Sequence, residues 1–161
     1  MLPWVSTASR LVLGAVWIVA GALKLPDPAA AERAVRAYRL LPEGLVAPVA
    51  FGLPAIEICL GLLLLAGVAV RTAAVASAVL LAVFIAAVGS AWARGLTIDC
   101  GCFGGGGQVD PDETAYLSEI LRDVGLLALA VLLLIRPRSR LALLDRDRPA
   151  ARQEDLDAVA H

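Results

Sequence analysis

Four long apolar runs constrain this chain more than any other feature. They extend over about Trp4 to Leu25, Leu45 to Gly67, Thr72 to Ala93 and Ala115 to Ile135. Each approaches the roughly 20 residues that a helix needs to cross a hydrocarbon core. Inside a bilayer the backbone N–H and C=O groups must be bonded internally, so helices are the expected spans. The chain is 60% hydrophobic, against ~45–50% apolar residues in a soluble domain, and the excess is expected to face lipid. A net charge of −1 provides no basic surface for nucleic acid. The expected fold class is all-α: an integral membrane four-helix bundle.

Breakers bound the runs: Pro26 and Pro28 after the first, Gly67 after the second, Gly95 after the third and Pro137 after the fourth. The connection from Gly67 to Arg71 is so short that the second and third helices should form an antiparallel hairpin. Leu11 to Leu23 resembles the apolar core of a signal peptide. It is flanked by Arg10 and Lys24 with no small-x-small cleavage site, so it reads as a retained helix. Between the first two runs, residues 29–41 read as a short amphipathic helix. Val35, Tyr38 and Leu41 share one face, and Arg33, Arg36 and Arg39 share another. That pattern fits a helix lying in the membrane interface, and a solvated helical linker fits equally well. The expected organisation is a four-helix transmembrane domain over 1–136, with a loop at about 94–114, and a mobile cytosolic tail over 137–161 that alternates Arg and Asp.

Basic residues next to the spans set the orientation. Arg10, Arg71, Arg136, Arg138, Arg140, Arg146, Arg148 and Arg152 fall on one side. Lys24, Arg33, Arg36, Arg39, Arg94 and Arg122 fall on the other. The margin is modest, but the dense cluster after the last span favours both termini in the cytoplasm of a bacterial cell. The loop between the third and fourth helices is then extracytoplasmic, where disulfide chemistry is permitted.

Charged side chains within spans are costly and functional by default. Arg10, Gly14, Trp17, Gly21 and Lys24 form one stripe on the first helix, where the small residues allow close helix contact. The second helix carries Glu57 near mid-span with Gly61 one turn on, and the fourth opens with Glu119, Arg122 and Asp123. Counting rise per residue puts Glu57 and Arg10 at similar depths, so Arg10 is its expected partner. Such a pair either fixes helix packing or serves a proton- or quinone-linked site. Cys59, two residues from Glu57, reads as a small buried hydrophobe remote from the other cysteines.

The third connection carries the chemistry: Thr97-Ile98-Asp99-Cys100-Gly101-Cys102-Phe103-Gly104-Gly105-Gly106-Gly107. Two thiols one residue apart can close a small disulfide ring if the backbone turns, and Gly101 can take the positive φ of such a turn. A strained ring of this kind is easily reduced and suits catalysis better than structure. The glycine run has no Lys-Ser/Thr after it and no strand before it, so it is not a phosphate loop. It is expected to let the thiols move and a partner approach. A closed zinc site lacks ligands, since only Asp99 is near and the single histidine is His161. A two-thiolate copper(I) site remains open. The acids Asp99, Asp110, Asp112 and Glu113 should disfavour the thiolates, with Arg94 or Arg122 as counter-charge.

These residues resemble the MauE/DoxX-like family of redox-associated membrane proteins. The resemblance rests on Arg10-Leu11-Val12-Leu13-Gly14 with Ala20-Gly21-Ala22-Leu23-Lys24-Leu25, and on Pro54-Ala55-Ile56-Glu57-Ile58-Cys59-Leu60-Gly61. Asp99-Cys100-Gly101-Cys102-Phe103-Gly104 is similar to the MauE branch, whose methylamine-utilisation members are implicated in maturing a disulfide-rich dehydrogenase subunit. The resemblance covers about residues 5 to 136. It implies four membrane helices and thiol–disulfide chemistry with separate thioredoxin-like partners outside the cytoplasm.

The resulting expectation is a thiol–disulfide relay in the bacterial cytoplasmic membrane, with the chemistry of a thiol–disulfide oxidoreductase. Cys100 and Cys102 would exchange electrons with an extracytoplasmic thioredoxin-like protein or a disulfide-containing client. Asp99, Gly101, Phe103, Arg94 and Arg122 would support them, and Arg10, Lys24, Glu57 and Asp123 would be buried polar groups. A quinone between the helices is a candidate second electron partner by analogy, and no resident metal is expected. The rivals are a copper-binding membrane protein and a non-enzymatic assembly or structural subunit of a membrane redox complex.

Overall fold

The computed structural model describes residues 2–135, with side chains from Trp4 onward; the expected tail over 137–161 lies outside the described residues. Five α-helices account for most of the chain: α1 (Leu2–Lys24), α2 (Pro28–Ala37), α3 (Glu43–Ala66), α4 (Val70–Ala93) and α5 (Tyr116–Ile135). Between α4 and α5 lie two short strands, β1 (Ile98–Asp99) and β2 (Gly107–Gln108), and a single 3₁₀ turn at Pro111–Glu113. The strands pair antiparallel, Ile98 opposite Gln108 and Asp99 opposite Gly107. This small ladder sits within a mostly helical chain, in keeping with the expected all-α class.

Among the described residues, three helices, α1, α3 and α4, are long and apolar enough to cross a membrane. The fourth expected span, α5, falls short of that description because its first two turns carry Glu119, Arg122 and Asp123. Its apolar remainder from Val124 to Ile135 would rise only ~18 Å, against a hydrocarbon core of ~30 Å. The four long helices nevertheless pack in a closed ring: α1 along α3, α3 against α4, α4 along α5, and α5 against α1. Leu13, Trp17, Leu60, Leu64, Leu81 and Leu133 fill the centre, and Trp17 donates its indole N–H to Ser77 Oγ at 2.9 Å.

Local chemistry explains the boundaries. Asp27 caps α2 by accepting from the Ala30 N–H at 2.9 Å, with Pro28 in the first turn. Gly67 ends α3 at φ +70, the left-handed conformation that commonly terminates helices. Only Val68 and Ala69 then separate it from α4, which makes the expected hairpin.

Along α1 and α3 the backbones touch. A Cβ built on Gly21 would lie 2.8 Å from Pro54 O, and one on Gly61 would lie 2.8 Å from Gly14 O. The glycine stripe is therefore the contact surface, as small residues permit where apolar lipid gives helices little reason to associate. The same contacts fix the register, with Gly21 beside Glu57 and Gly14 beside Leu65. Eleven residues of α3, from Glu43 to Leu53, thus run on past the level of Gly21, about 16 Å by helical rise. The space beside them is taken by α2 and the β1–β2 loop, both of which lie at this end of the molecule.

The register corrects the expected Arg10–Glu57 pair. Glu57 is joined instead to Lys24, whose Nζ donates to Oε1 at 2.6 Å and Oε2 at 2.8 Å. The depth count failed because it measured Glu57 from the end of α3 and took α1 to end at the same level. Arg10 lies fourteen residues before Lys24, about 21 Å along the helix, and is buried at the other end of α1. Two further expectations change. Cys59 lies on the exposed outer side of α3 rather than in the core. The buried face of α2 is Ala30, Ala31 and Ala34, whereas Leu41 is 37% exposed. Small alanines win because they let α2 lie directly on the glycine loop.

Candidate functional site

Residues 100–106 form a loop whose ends are held by the β1–β2 pairing. Asp99 organises it from within, its Oδ1 accepting from the Gly101 N–H at 3.3 Å and its Oδ2 from the Gly106 N–H at 3.2 Å. The turns this requires fall in the left-handed region: Gly101 sits at φ +68 and Gly106 at φ +91. A Cβ on Gly106 would lie 2.5 Å from Ala34 Cβ, and one on Gly101 would lie 2.8 Å from the same atom. The glycines therefore let the loop pack tightly under α2. Gly106→Ala is expected to lose about 1–3 kcal/mol, the scale of a non-glycine residue held in such a conformation. Thermal unfolding in detergent measures that loss, and pairing the change with Ala34→Gly should recover part of it by relieving the contact.

The turn brings the two sulfurs together. The Cys102 N–H donates to Cys100 Sγ at 3.3 Å, and all three cysteines of the chain are free thiols. The Cys100 carbonyl accepts from the Tyr38 hydroxyl at 3.2 Å, which ties the loop to the end of α2. The first turns of α5 lie on the other side. Arg122 Nη2 is 4.0 Å from Cys100 Sγ, and its guanidinium sits 4.8 Å from the centre of the Phe103 ring. Arg122 Nε also donates to Asp123 Oδ1 at 3.1 Å. One carboxylate oxygen of Glu119, one of Asp99 and Cys100 Sγ all lie within 4.8 Å of one another. Among the described residues, Glu119 Oε2 and Asp123 Oδ2 are buried with no hydrogen-bond donor.

The two thiols are not equivalent. The Cys102 thiol donates to Cys100, which holds the Cys100 thiol below its ordinary range although burial and Glu119 oppose this. Cys102 is pushed far up, because its proton is held by Cys100 and because it is buried. Tyr38 is also pushed up, by burial first and then by the neighbouring thiols, so its hydroxyl keeps its proton at neutral pH. The arrangement suits one ready thiolate beside one protonated thiol.

Several sequence-derived residues meet here and others do not. Asp99, Gly101, Phe103 and Arg122 surround the thiols, and Asp123 acts through Arg122 and Cys102. Arg94 does not reach them: its Nη2 donates to Tyr38 O at 2.6 Å and its Nε to Ser90 O at 3.1 Å. Asp110, Asp112 and Glu113 are exposed, and the carboxylates that act on the thiols are Glu119 and Asp123. Glu119 and Tyr38 were not foreseen as site residues. The available signal for Glu119 was its spacing with Arg122 and Asp123, which places all three on one face at the start of an otherwise apolar helix.

Asp99, Cys100 and Glu119 offer three donors to a metal ion. One thiolate with two carboxylates is a harder set than copper(I) prefers, and both Asp99 oxygens already accept from the loop.

Beside the thiols is an apolar pocket lined by Cys100, Gly101 and Cys102 together with residues of all four of α1 to α4. Lys24 and Tyr38 are its polar members, and Ala50, Leu53, Phe84 and Ala87 form its apolar side.

Comparison with known sequences identifies relatives. Residues 2–136 match the family described as methylamine utilisation protein MauE. The chain is 36% identical over 130 residues to the methylamine utilization protein MauE of Paracoccus denitrificans, a match covering 80% of this chain and 68% of that protein. No solved structure matches significantly.

Proposed function

The chain belongs to the MauE family, and from that premise we propose that it is a membrane thiol–disulfide relay acting through Cys100 and Cys102. One observation carries this reading: Cys102 donates its backbone N–H to Cys100 Sγ at 3.3 Å, within a glycine turn built to bring the two sulfurs together. Cys100 is the attacking thiolate and Cys102 the resolving thiol. Arg122, 4.0 Å from Cys100 Sγ, supplies positive charge to the thiolate.

The partner is an extracytoplasmic thioredoxin-like protein or a disulfide-bearing client. Exchange begins when Cys100 attacks a partner disulfide and releases one partner sulfur as a thiolate. Cys102 then attacks the mixed disulfide, which frees the second partner sulfur and leaves Cys100–Cys102 oxidised. In reverse, the same steps deliver a disulfide to a client. The relatives' name points to methylamine utilisation as the setting. Alkylation mass spectrometry of the native membrane form tests the relay. Cys100 and Cys102 should be recovered as a reversible disulfide, and permanent isolation of both as free thiols under oxidation would exclude it.

The unequal thiols give a pH-resolved expectation. Cys100 should react with iodoacetamide at a pH where Cys102 does not, because only Cys100 is held below the ordinary thiol range. Glu119→Gln should shift the Cys100 profile to still lower pH, since the native carboxylate opposes ionisation of the thiol. Quenched alkylation followed by peptide mapping measures both.

All four long helices cross the membrane in this reading, with both termini cytoplasmic. The charged turns of α5 then lie at the extracytoplasmic end, folded inward on the thiol loop. A membrane-impermeant maleimide applied to intact spheroplasts after mild reduction should label Cys100 or Cys102. Cys59, exposed on the lipid side of α3, should stay unlabelled. Labelling of the loop only after permeabilisation would reverse the orientation.

A further inference from the structure

Closing the relay cycle needs a proton acceptor that the thiols do not supply. Attack on a partner disulfide turns Cys100 into one half of a mixed disulfide, and the Cys102 thiol must then lose its proton to resolve it. In the resting site that proton is held by Cys100, so the first step consumes the group that accepts it. We propose that Glu119 is the catalytic base of the resolving step, taking the Cys102 proton as the Cys102 sulfur attacks; the inference rests on the relay reading above.

The other polar groups around the thiols are engaged. Each Asp99 oxygen accepts a loop N–H, Oδ1 from Gly101 and Oδ2 from Gly106. Asp123 Oδ1 accepts from Arg122 Nε at 3.1 Å, and an adjacent positive charge discourages protonation of a carboxylate. The Tyr38 hydroxyl keeps its own proton and donates it to Cys100 O. Arg122 has no acceptor atom, and Lys24 is bonded to Glu57. Glu119 is different. It is 7% exposed, and its Oε2 is buried without a donor. Among the described residues it joins no ion pair. A buried acceptor left in this state is costly, and an incoming proton satisfies it. One Glu119 oxygen lies within 4.8 Å of Cys100 Sγ, the sulfur that Cys102 attacks and toward which its S–H is directed. The carboxylate is also held on a rigid element, the first turn of α5.

The step balances within the site. The Cys102 S–H bond breaks and its proton passes to a Glu119 oxygen. The Cys102 sulfur bonds to Cys100 Sγ, and the bond between Cys100 and the partner sulfur breaks. That sulfur leaves with the electron pair of the broken bond and takes the proton back from the Glu119 carboxyl. The cysteine pair is oxidised, the partner is reduced and the carboxylate is restored. In reverse, Glu119 takes the proton of the incoming partner thiol and gives it to Cys102 as the leaving sulfur.

The test uses the full chain in detergent, carrying Cys59→Ser so that Cys100 and Cys102 are its only cysteines. It is reduced, freed of reductant and mixed without oxygen with one equivalent of Ellman's reagent. Cys100 releases one coloured thiolate when it attacks, and Cys102 releases the second when it closes the ring. One absorbance trace therefore reads both steps, and the coloured thiolate needs no proton to leave. Glu119→Gln preserves side-chain size and removes the proton acceptor. It should leave the first phase at the parent rate or faster and slow the second by at least about tenfold, since a positioned base typically contributes ~10²–10⁴-fold. Damage to the fold would slow both phases. Asp123→Asn should slow the second phase far less than Glu119→Gln does. In deuterium oxide the second phase of the parent protein should slow relative to the first, because a proton is in transfer only there. If Glu119→Gln keeps the parent ratio of the two rates, or Asp123→Asn carries the larger loss, the assignment to Glu119 is overturned while the relay stands. An unchanged ratio in deuterium oxide overturns it as well, and decides the matter if the variant does not fold. If the parent protein releases the first thiolate and never the second, the pair does not close, and the relay falls with its base.

Discussion

Cys100→Ser and Cys102→Ser are each expected to abolish function in a strain lacking the native gene, because an exchange cycle needs both an attacking and a resolving thiol. They should differ in what they accumulate. Cys102→Ser keeps the attacking thiol, with a serine hydroxyl in place of the thiol that donates to it, and removes the one that would release the partner. It should therefore trap a mixed disulfide, seen as a higher band on a non-reducing gel that vanishes with reductant. Cys100→Ser keeps only the resolving thiol, which burial still holds protonated, and should trap little. A copper site would instead lose metal as each thiol is removed and yield no protein adduct. Full function in both single variants would replace the relay with the assembly-subunit reading.

Lys24→Met and Glu57→Gln should each be severely destabilising. The pair is buried and bonded through both carboxylate oxygens, at 2.6 and 2.8 Å. Removing one member leaves the other a charge without its partner, which costs on the order of 3–5 kcal/mol in soluble proteins. The double variant should lose clearly less than the sum of the singles, because removing both leaves no stranded charge. Arg10→Leu combined with Glu57→Gln should be additive, since the two sites are ~15–20 Å apart by the helical register. Thermal unfolding in detergent of the four Lys24/Glu57 combinations decides it. Strict additivity there would mean the contact contributes no coupling.

The helices were legible in sequence because hydropathy and breakers are local signals. The observed bounds of α1, α3, α4 and α5 fall within two residues or so of the expected ones. The identity of the thiol pair and the need for a turn at Gly101 were legible for the same reason, since Cys-Gly-Cys is its own neighbourhood. Whatever depended on the relative heights of two helices was not. Lys24 and Arg10 lie on the same stripe of α1, and only the Gly21–Pro54 contact says which of them faces Glu57. Glu119 is distant from Cys100 in sequence and reaches it only because the loop folds back onto α5. Arg94 was misassigned because closeness in sequence to Cys100 was taken for closeness in space, whereas its side chain turns toward Tyr38 O. The face buried by α2 was misjudged because a hydrophobicity pattern rewards Val and Leu. The constraint there is distance, and only alanine is small enough to meet a glycine loop so closely.

The height difference between α1 and α3 has a consequence for selectivity. A Cβ on Gly104 would lie 3.1 Å from Leu23 O, so the loop rests on the last turn of α1, on a step overlooked by some three further turns of α3 and roofed by α2. A sulfur so recessed is a poor target for a broad, flat protein face and a good one for something narrow. In the relay proposed above, the step works as a shape filter, admitting a protruding tip or a small dithiol while holding the bulk of other folded thiol proteins at a distance.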